Sequence, residues 1–382
     1  VSPLNTADLT DLAERRLARI DAELDRRFEL CARIEREGAQ ALALEQYAAR
    51  PLEWMDDWLW SYDPRNADQG LPVYVPTLLT PKQREWVEWV YARRAVQEDG
   101  WAPKGRGVGA SYMACAISLH GWLFEDGFSA TLLSEKRDSL DKLSDPSTLF
   151  QKLRIILENL PKWMMPPGFD WDTHDNHRRL INPSNGSIIT GAIGKSPGRG
   201  GRCTVAFVDE AAHIPDLTEV RRALRDNTNC TIEISTYNGT GEPFYQTSSA
   251  APASQVYKLT WQDLPELYDN AWYERKKQQY ADDPAGLAQE VDADPTAAVE
   301  DLCIPYKWAK ACVGFDHPEA ELQGGDLLAG LDVGGGKALN VLAPRAGNAI
   351  LPLKRRSEGN VSLTAMWAKG WCEEHGATVL LY

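Results

Sequence analysis

The chain has 382 residues, 43% of them hydrophobic and 25% charged, an ordinary globular composition with length for two domains and a small third. A formal net charge of −14 argues against a protein coated in nucleic acid while leaving room for a local basic track. No run reaches the roughly 18–20 apolar residues that cross a bilayer. The charged N-terminal stretch does not read as a secretory leader, and seven cysteines standing singly, with no C-x-x-C pair, argue against zinc and fit a reducing compartment.

Residues 6–50 carry Leu17, Ile20, Leu24, Phe28 and Cys31 at 3–4 spacing opposite a charged face, which predicts helix. Residues 51–80, with Trp54, Trp58, Trp60 and Tyr62 among prolines, read as a loop or short helix anchored by aromatics. Thr80 and Pro81 are an N-cap and an N1 residue for the next helix. Gln83 lies in its first turn, where an amide could pair with the edge of an adenine. Trp101–Pro103 is a poor strand leading into a glycine-rich turn and an apolar, small-residue helix ending near Phe124. Strands are predicted at Ser129–Ser134, Ser187–Ile193, Cys203–Glu210 and Cys230–Thr236. Helices are predicted at Leu149–Leu160 and 216–226, with a polar loop over 168–186. This alternation implies a parallel α/β sheet. Ala271–Val291 is a charged helical stretch interrupted near Pro284, and His317–Gly325 resembles a linker. A β-rich unit follows from Leu327, with strands near 340–345 and 348–353, a helix over 362–375, and an apolar strand from Ala377.

The turn is the centre of the functional reading. Gly105, Gly107 and Gly109 alternate with Lys104 and Arg106. Such a turn can point backbone N–H groups at an anion, and the following helix N-terminus adds its positive dipole. Against G-x-x-x-x-G-K-[ST], the octet Lys104-Gly105-Arg106-Gly107-Val108-Gly109-Ala110-Ser111 keeps the last glycine and the serine. Lys104 stands where the first glycine would be and Ala110 where the lysine would be. Two other candidate sites also fall at strand ends: Asp209-Glu210, and Ser235 to Asn238 with Thr236 between. Ligands of open α/β sheets gather at such ends. A phosphate-cradling loop with an apolar strand ending in Asp-Glu is the two-part signature of nucleotide hydrolysis. Asp209 would hold Mg²⁺ beside the Ser111 hydroxyl, Glu210 would polarise the attacking water, and Lys104 would supply the charge that the pattern's lysine gives. Arg199, Arg202 and Arg225 are candidates for neutralising transition-state charge, Arg199 preferred for its glycine neighbours. Asp332, an acid within the apolar Leu331–Val333 and followed by glycines, is costly to bury unless paired or metal-bound. It reads either as a ligand for a divalent metal in phosphodiester cleavage or as a cap on the glycine turn.

These residues resemble the large terminase subunit of tailed bacteriophages over most of the chain. Trp58–Arg65 resembles that family's aromatic lead-in and Leu79–Gln83 its adenine motif. Lys104-x-Arg106-x-x-Gly109-x-Ser111 resembles its lysine-first Walker A loop, and Val205–Glu210 its Walker B strand. Ser235–Asn238 resembles its coupling motif, and Gly330–Asp332 the first acidic strand of its RNase H-like nuclease. The implied architecture is an N-terminal helical arm (1–65), a P-loop ATPase core of the ASCE type (66–262), a helical subdomain and linker (263–325), and the beginning of an RNase H-like nuclease (326–382). The implied activities are ATP-driven packaging of viral double-stranded DNA and cutting of concatemers with Mg²⁺ or Mn²⁺. The implied partners are a small terminase subunit, a portal and procapsid, and further copies in a ring of five, in the host cytoplasm. The family's next nuclease carboxylate follows a strand like Ala377–Leu381, where this sequence stops, so ATP binding without DNA cleavage is expected of it. Two other readings stand beside this one: a two-lobed helicase or translocase, and a nucleotide-binding subunit that does not hydrolyse.

Overall fold

The computed structural model describes residues 6–193, 201–295, 326–334, 338–347 and 349–381. The chain divides into two compact units, Val1–Cys303 and Ile304–Tyr382.

The first unit opens with helices α1 (Thr6–Arg36), α2 (Gln40–Ala49) and α3 (Pro51–Trp58). Gly38, at φ +65°, breaks the first from the second. Ile34, Tyr47, Trp54 and Trp58 are buried in the same core as the sheet behind them, so these helices are part of the body. The aromatic segment then forms a small antiparallel ribbon, β1 (Trp60–Tyr62) with β2 (Tyr74–Pro76). Helix α4 (Pro81–Val96) begins at a reciprocal capping box between Thr80 and Gln83.

The sheet follows in chain order as β3 (Gly100–Pro103), β4 (Ser129–Ser134), β5 (Asp175–Asn176), β6 (Arg179–Ile181), β7 (Ile188–Ile193), β8 (Val205–Asp209) and β9 (Thr231–Ser235). Between them run α5 (Ala110–Phe124), α6 (Arg137–Leu140), α7 (Leu149–Glu158), α8 (Trp171–His174) and α9 (Leu217–Leu224). After β9 come α10 (Pro243–Ala250), α11 (Asn270–Gln279) and α12 (Pro284–Glu290). The strand order is β3-β9-β8-β4-β7-β6-β5. The first five strands are parallel and the last two antiparallel.

The apolar run of β8 is explained by two buried faces. Val205 and Phe207 enter one core cluster with α5 and α7, whereas Ala206 and Val208 enter a second with α9 and Phe244 of α10. Two expectations are corrected. Trp101–Pro103 does form strand, because it lies at the sheet edge, parallel to β9, with Leu259 N and Tyr257 N donating to Pro103 and Trp101 carbonyls on its other side. Proline is tolerated where the ladder does not require its missing N–H. Residues 168–186 are not loop throughout; they contain α8 and the β5–β6 hairpin, whose strands are too short and polar to show periodicity.

The second unit comprises β10 (Leu327–Asp332), β11 (Asn340–Ala346), β12 (Ala349–Ile350), β13 (Lys354–Arg356), α13 (Val361–His375) and β14 (Val379–Leu381). Strand β10 is central, antiparallel to β11 and parallel to β14. Ala329, Leu342, Ala368 and Cys372 form its small core.

Candidate active site

The parallel strands bring three of the sequence-predicted segments to one edge. The glycine loop follows β3, Asp209–Glu210 close β8, and Ser235–Asn238 close β9, which lies between the other two.

The loop is tied down on several sides. Lys104 N donates to Ser235 O (2.9 Å) and Gly105 N to Leu259 O (2.9 Å). A Cβ on Gly105 would meet Val291 O at 2.5 Å, so this glycine is needed for close backbone approach. Gly107 and Gly109 both have φ +83°, and Gly109 is the left-handed N-cap of α5. Val108 and Ala110 are buried. The Gly107 carbonyl accepts from Tyr268 Oη at 2.7 Å.

Gln83 is buried and differs from expectation. Its Oε1 accepts from Thr80 N (2.9 Å), closing the capping box, and its Nε2 donates to Val108 O (2.9 Å). The amide therefore braces the loop from behind, which leaves one N–H and one lone pair for any ligand.

At the open end, Lys104 Nζ lies 3.1 Å from Glu210 Oε1, and the lysine side chain is only 8% exposed. Ser111 Oγ donates to Asp209 Oδ2 at 2.9 Å. Asp209 Oδ1 is shielded from solvent and accepts no hydrogen bond. Burial, and after it the charge of Glu210, pushes the Asp209 carboxyl above the usual carboxylate range, against Lys104, Lys152 and Ser111. Glu210 itself adopts φ 54°, a left-handed conformation that non-glycine residues seldom keep. An orphaned carboxylate oxygen beside a serine hydroxyl suits a cation that takes one or two protein ligands and completes its shell with water and phosphate, as Mg²⁺ does.

Ser235 and Thr236 are buried; Ser235 Oγ accepts from Ala212 N at 3.0 Å. Asn238 is exposed. Arg199 lies outside the described residues, and Arg202 and Arg225 are exposed on the first unit. In the second unit, Asp332 is exposed at the end of β10. The burial cost read from its apolar neighbours therefore does not apply. Among the described residues, no group of three or more His, Cys, Asp or Glu side chains comes together as a metal site.

Residues the sequence did not single out complete the first site. Glu290 Oε2 lies 2.8 Å from Arg106 Nε, and Glu290 O accepts from Arg106 N at 2.6 Å. Tyr268 packs on Trp272 with ring centroids 4.3 Å apart, and Asp292 receives Trp261 Nε1 and Tyr273 Oη. The stretch from Trp261 to Asp292 thus sits against the glycine loop. No spacing within it marks Glu290 out from the other surface acids, so only the fold could reveal it.

Among solved structures, the large terminase of bacteriophage HK97 matches with a TM-score of 0.51 at 14% identity, covering 87% of this chain and 73% of its own. The large terminase ATPase domain of Thermus phage P74-26 matches with a TM-score of 0.40 at 16% identity, over 55% of this chain and 97% of that one. The large terminase of a thermophilic bacteriophage, solved in complex with ADP, matches with a TM-score of 0.43 at 10% identity, over 79% of this chain and 82% of that one. No protein-family profile and no curated protein matches the sequence. The chain has the fold of the bacteriophage large terminases.

Proposed function

We propose that the chain hydrolyses ATP and uses the energy to translocate viral double-stranded DNA into a procapsid. The observation that carries this reading is the meeting of Lys104 and Ser111, from the loop after β3 and the start of α5, with Asp209 and Glu210 at the carboxyl end of β8. The N–H groups of Lys104, Gly105 and Arg106 are committed to protein carbonyls, so the N–H groups at the start of α5, with Lys104 Nζ, bind phosphate. Ser111 and Asp209 would hold Mg²⁺, which when bound supplies positive charge against the phosphate oxygens. Lys104 is bonded to Glu210, so a phosphate that draws the ammonium releases the carboxylate to orient and deprotonate water. Gln83 keeps the loop in shape for the nucleotide.

On this reading the partners are DNA, a small terminase subunit, a portal on the procapsid, and further copies in a ring of five, in the host cytoplasm. The basic pair Arg178–Arg179 is a candidate for contacting DNA; Arg221 is not one, since it is committed to the buried Glu233 at 2.6 Å. No helix among the described residues is long and apolar enough to cross a membrane. The second unit belongs to the reading as the beginning of a metal-dependent nuclease, supported by Asp332 at the end of a central strand flanked by β11 and β14.

The test is steady-state ATP turnover by the full chain with Mg²⁺. Turnover in the parent, with losses of about 10²-fold or more in both Lys104→Ala and Glu210→Gln, supports the reading. Lys104→Ala with parental turnover would show that the front lysine does not serve the phosphates. Nucleotide binding without turnover in the parent would favour a non-hydrolysing subunit.

A further inference from the structure

A chain of polar side chains joins the turn after β8 to the glycine loop, and none of the steps above uses it. His213 ends the short 3-10 turn Ala211–His213 that follows Glu210. Its Nε2 is 3.2 Å from the Thr236 hydroxyl. Thr236 Oγ1 donates to Glu290 Oε1 at 3.3 Å, and the Glu290 carbonyl accepts from Arg106 N at 2.6 Å, with Glu290 Oε2 ion-paired to Arg106 Nε without a hydrogen bond. The direction follows from proton counting. A carboxylate only accepts, and a hydroxyl has one proton to give. Thr236 gives that proton to Glu290 and must therefore receive one from His213, which fixes the Nε2–H form of the ring. Thr236 is 1% exposed, so water cannot replace a lost partner.

We infer that His213 is a positioning residue for ATP hydrolysis: through Thr236 and Glu290 it holds the turn that carries Glu210 in register with the glycine loop. This rests on the hydrolysis reading above. Glu210 needs such an anchor, because its backbone occupies the left-handed region at φ 54°, which an L residue keeps only when its surroundings hold it there. A second bond fixes the same turn: Ala212 N donates to Ser235 Oγ at 3.0 Å. Ala212 and His213 thus pin consecutive residues of the turn to the last residue of β9 and the residue after it. The Ser235 branch reaches the loop through backbone, Ser235 O accepting from Lys104 N, whereas the His213 branch reaches it through side chains, by way of Glu290, and is the one that substitution can cut.

The experiment uses the full chain and compares His213→Ala, His213→Gln, Thr236→Val and Glu290→Gln by ATP turnover, ADP affinity and backbone amide exchange over residues 205–214. His213→Ala is expected to lower kcat about tenfold with KM and ADP affinity unchanged, and to speed exchange in that turn. His213→Gln keeps an N–H donor and is expected to stay within about threefold of the parent. Combining His213→Ala with Thr236→Val should cost no more than the worse single change, because both break one relay. Equal losses in the Ala and Gln variants, additive losses in the double variant, or parental kcat and exchange in His213→Ala would each overturn the inference while leaving the hydrolysis reading standing. A parent chain with no turnover overturns both.

Discussion

Replacing Asp209 by asparagine separates the folding cost of the site from its chemical use. Asp209 has one hydrogen-bond partner, Ser111 Oγ, on Oδ2; its Oδ1 is shielded and accepts nothing, and Lys104 is committed to Glu210. An unsatisfied buried acceptor costs about 1–3 kcal/mol, and more when charged. Asparagine has nearly the same shape, can still accept from Ser111 and carries no charge. Without nucleotide or metal, Asp209→Asn should therefore stabilise the protein by about 1–2 kcal/mol, since its own amide N–H groups recover only part of the cost. For a unit of this size that is a rise of roughly 2–8 °C in Tm by differential scanning fluorimetry. The sign agrees with the direction of the carboxyl's shift. A carboxyl held above its unfolded value favours the native state below the unfolded pKa and loses that contribution as pH rises through the folded one, so the gain from asparagine is expected on the alkaline side. With Mg²⁺ and ADP the order should invert, because the parent gains a ligand for the carboxylate and the variant does not. A variant less stable than the parent without ligand would refute the claim that Oδ1 is unpaired. A variant stabilised by Mg²⁺ and ADP as strongly as the parent would refute Asp209 as the metal-side acid.

Other substitutions test the scaffold around it. Gln83→Ala removes the capping-box acceptor and the bond to Val108 O, and should lower the ligand-free Tm by about 1–2 kcal/mol worth of stability; an unchanged Tm with lost preference for ATP over GTP would instead make Gln83 a base reader. Gly105→Ala places a methyl 2.5 Å from the Val291 carbonyl and should cost about 1–3 kcal/mol in chemical denaturation; no change would mean that Val291 yields at no cost. Glu242, whose two oxygens accept from Phe244 N and Tyr245 N, is pushed up to about 7 mainly by burial, so its favourable contribution is complete below pH 4.5 and lost as pH rises through 7. The stability of Glu242→Gln relative to the parent should therefore rise by on the order of 2 kcal/mol between pH 5 and pH 8, read from urea midpoints; a flat difference would show that the carboxyl titrates normally.

The sequence exposes best the features governed by short-range rules. Buried parallel strands need apolar residues on both faces, and Val205–Val208 supply them without interruption, so both the strand and the acids that end it could be read directly. Thr80 and Pro81 likewise announced the start of α4. The edge strand β3 was obscured because Pro103 and Trp101 suit an edge and not a centre, and edge position is a property of the whole sheet. The sequence marks Gln83 but does not show its bond to Val108 O, which exists only because the fold brings the start of α4 against the loop 25 residues further along the chain. Asp332 was misjudged for a related reason. Its apolar neighbours suggest burial, but β10 ends at that residue and its side chain emerges into solvent. Glu290 and His213 carried no local signal at all; each acquires meaning from a partner that the fold brings from another segment.

The charges gathered at the glycine loop explain why the position of its lysine matters less than the accounting around it. Lys104 is neutralised by Glu210 and Arg106 by Glu290, and Asp209 stands beside them without a cation of its own. Among these five side chains two are positive and three are carboxylates, and Lys152 acts on Asp209 from outside them without an ion pair to it. Moving the lysine from the end of the loop to its front does not alter that balance; it alters which acid the lysine meets. At the front it lies next to Glu210, the group read as the base, and not next to Asp209. The unmatched charge therefore falls on Asp209 and Ser111, where a divalent cation would both satisfy the orphaned oxygen and reverse the sign of the site. On the proposed reading, a metal is expected because of this arrangement of charges, independently of how closely the loop matches the usual lysine-last pattern.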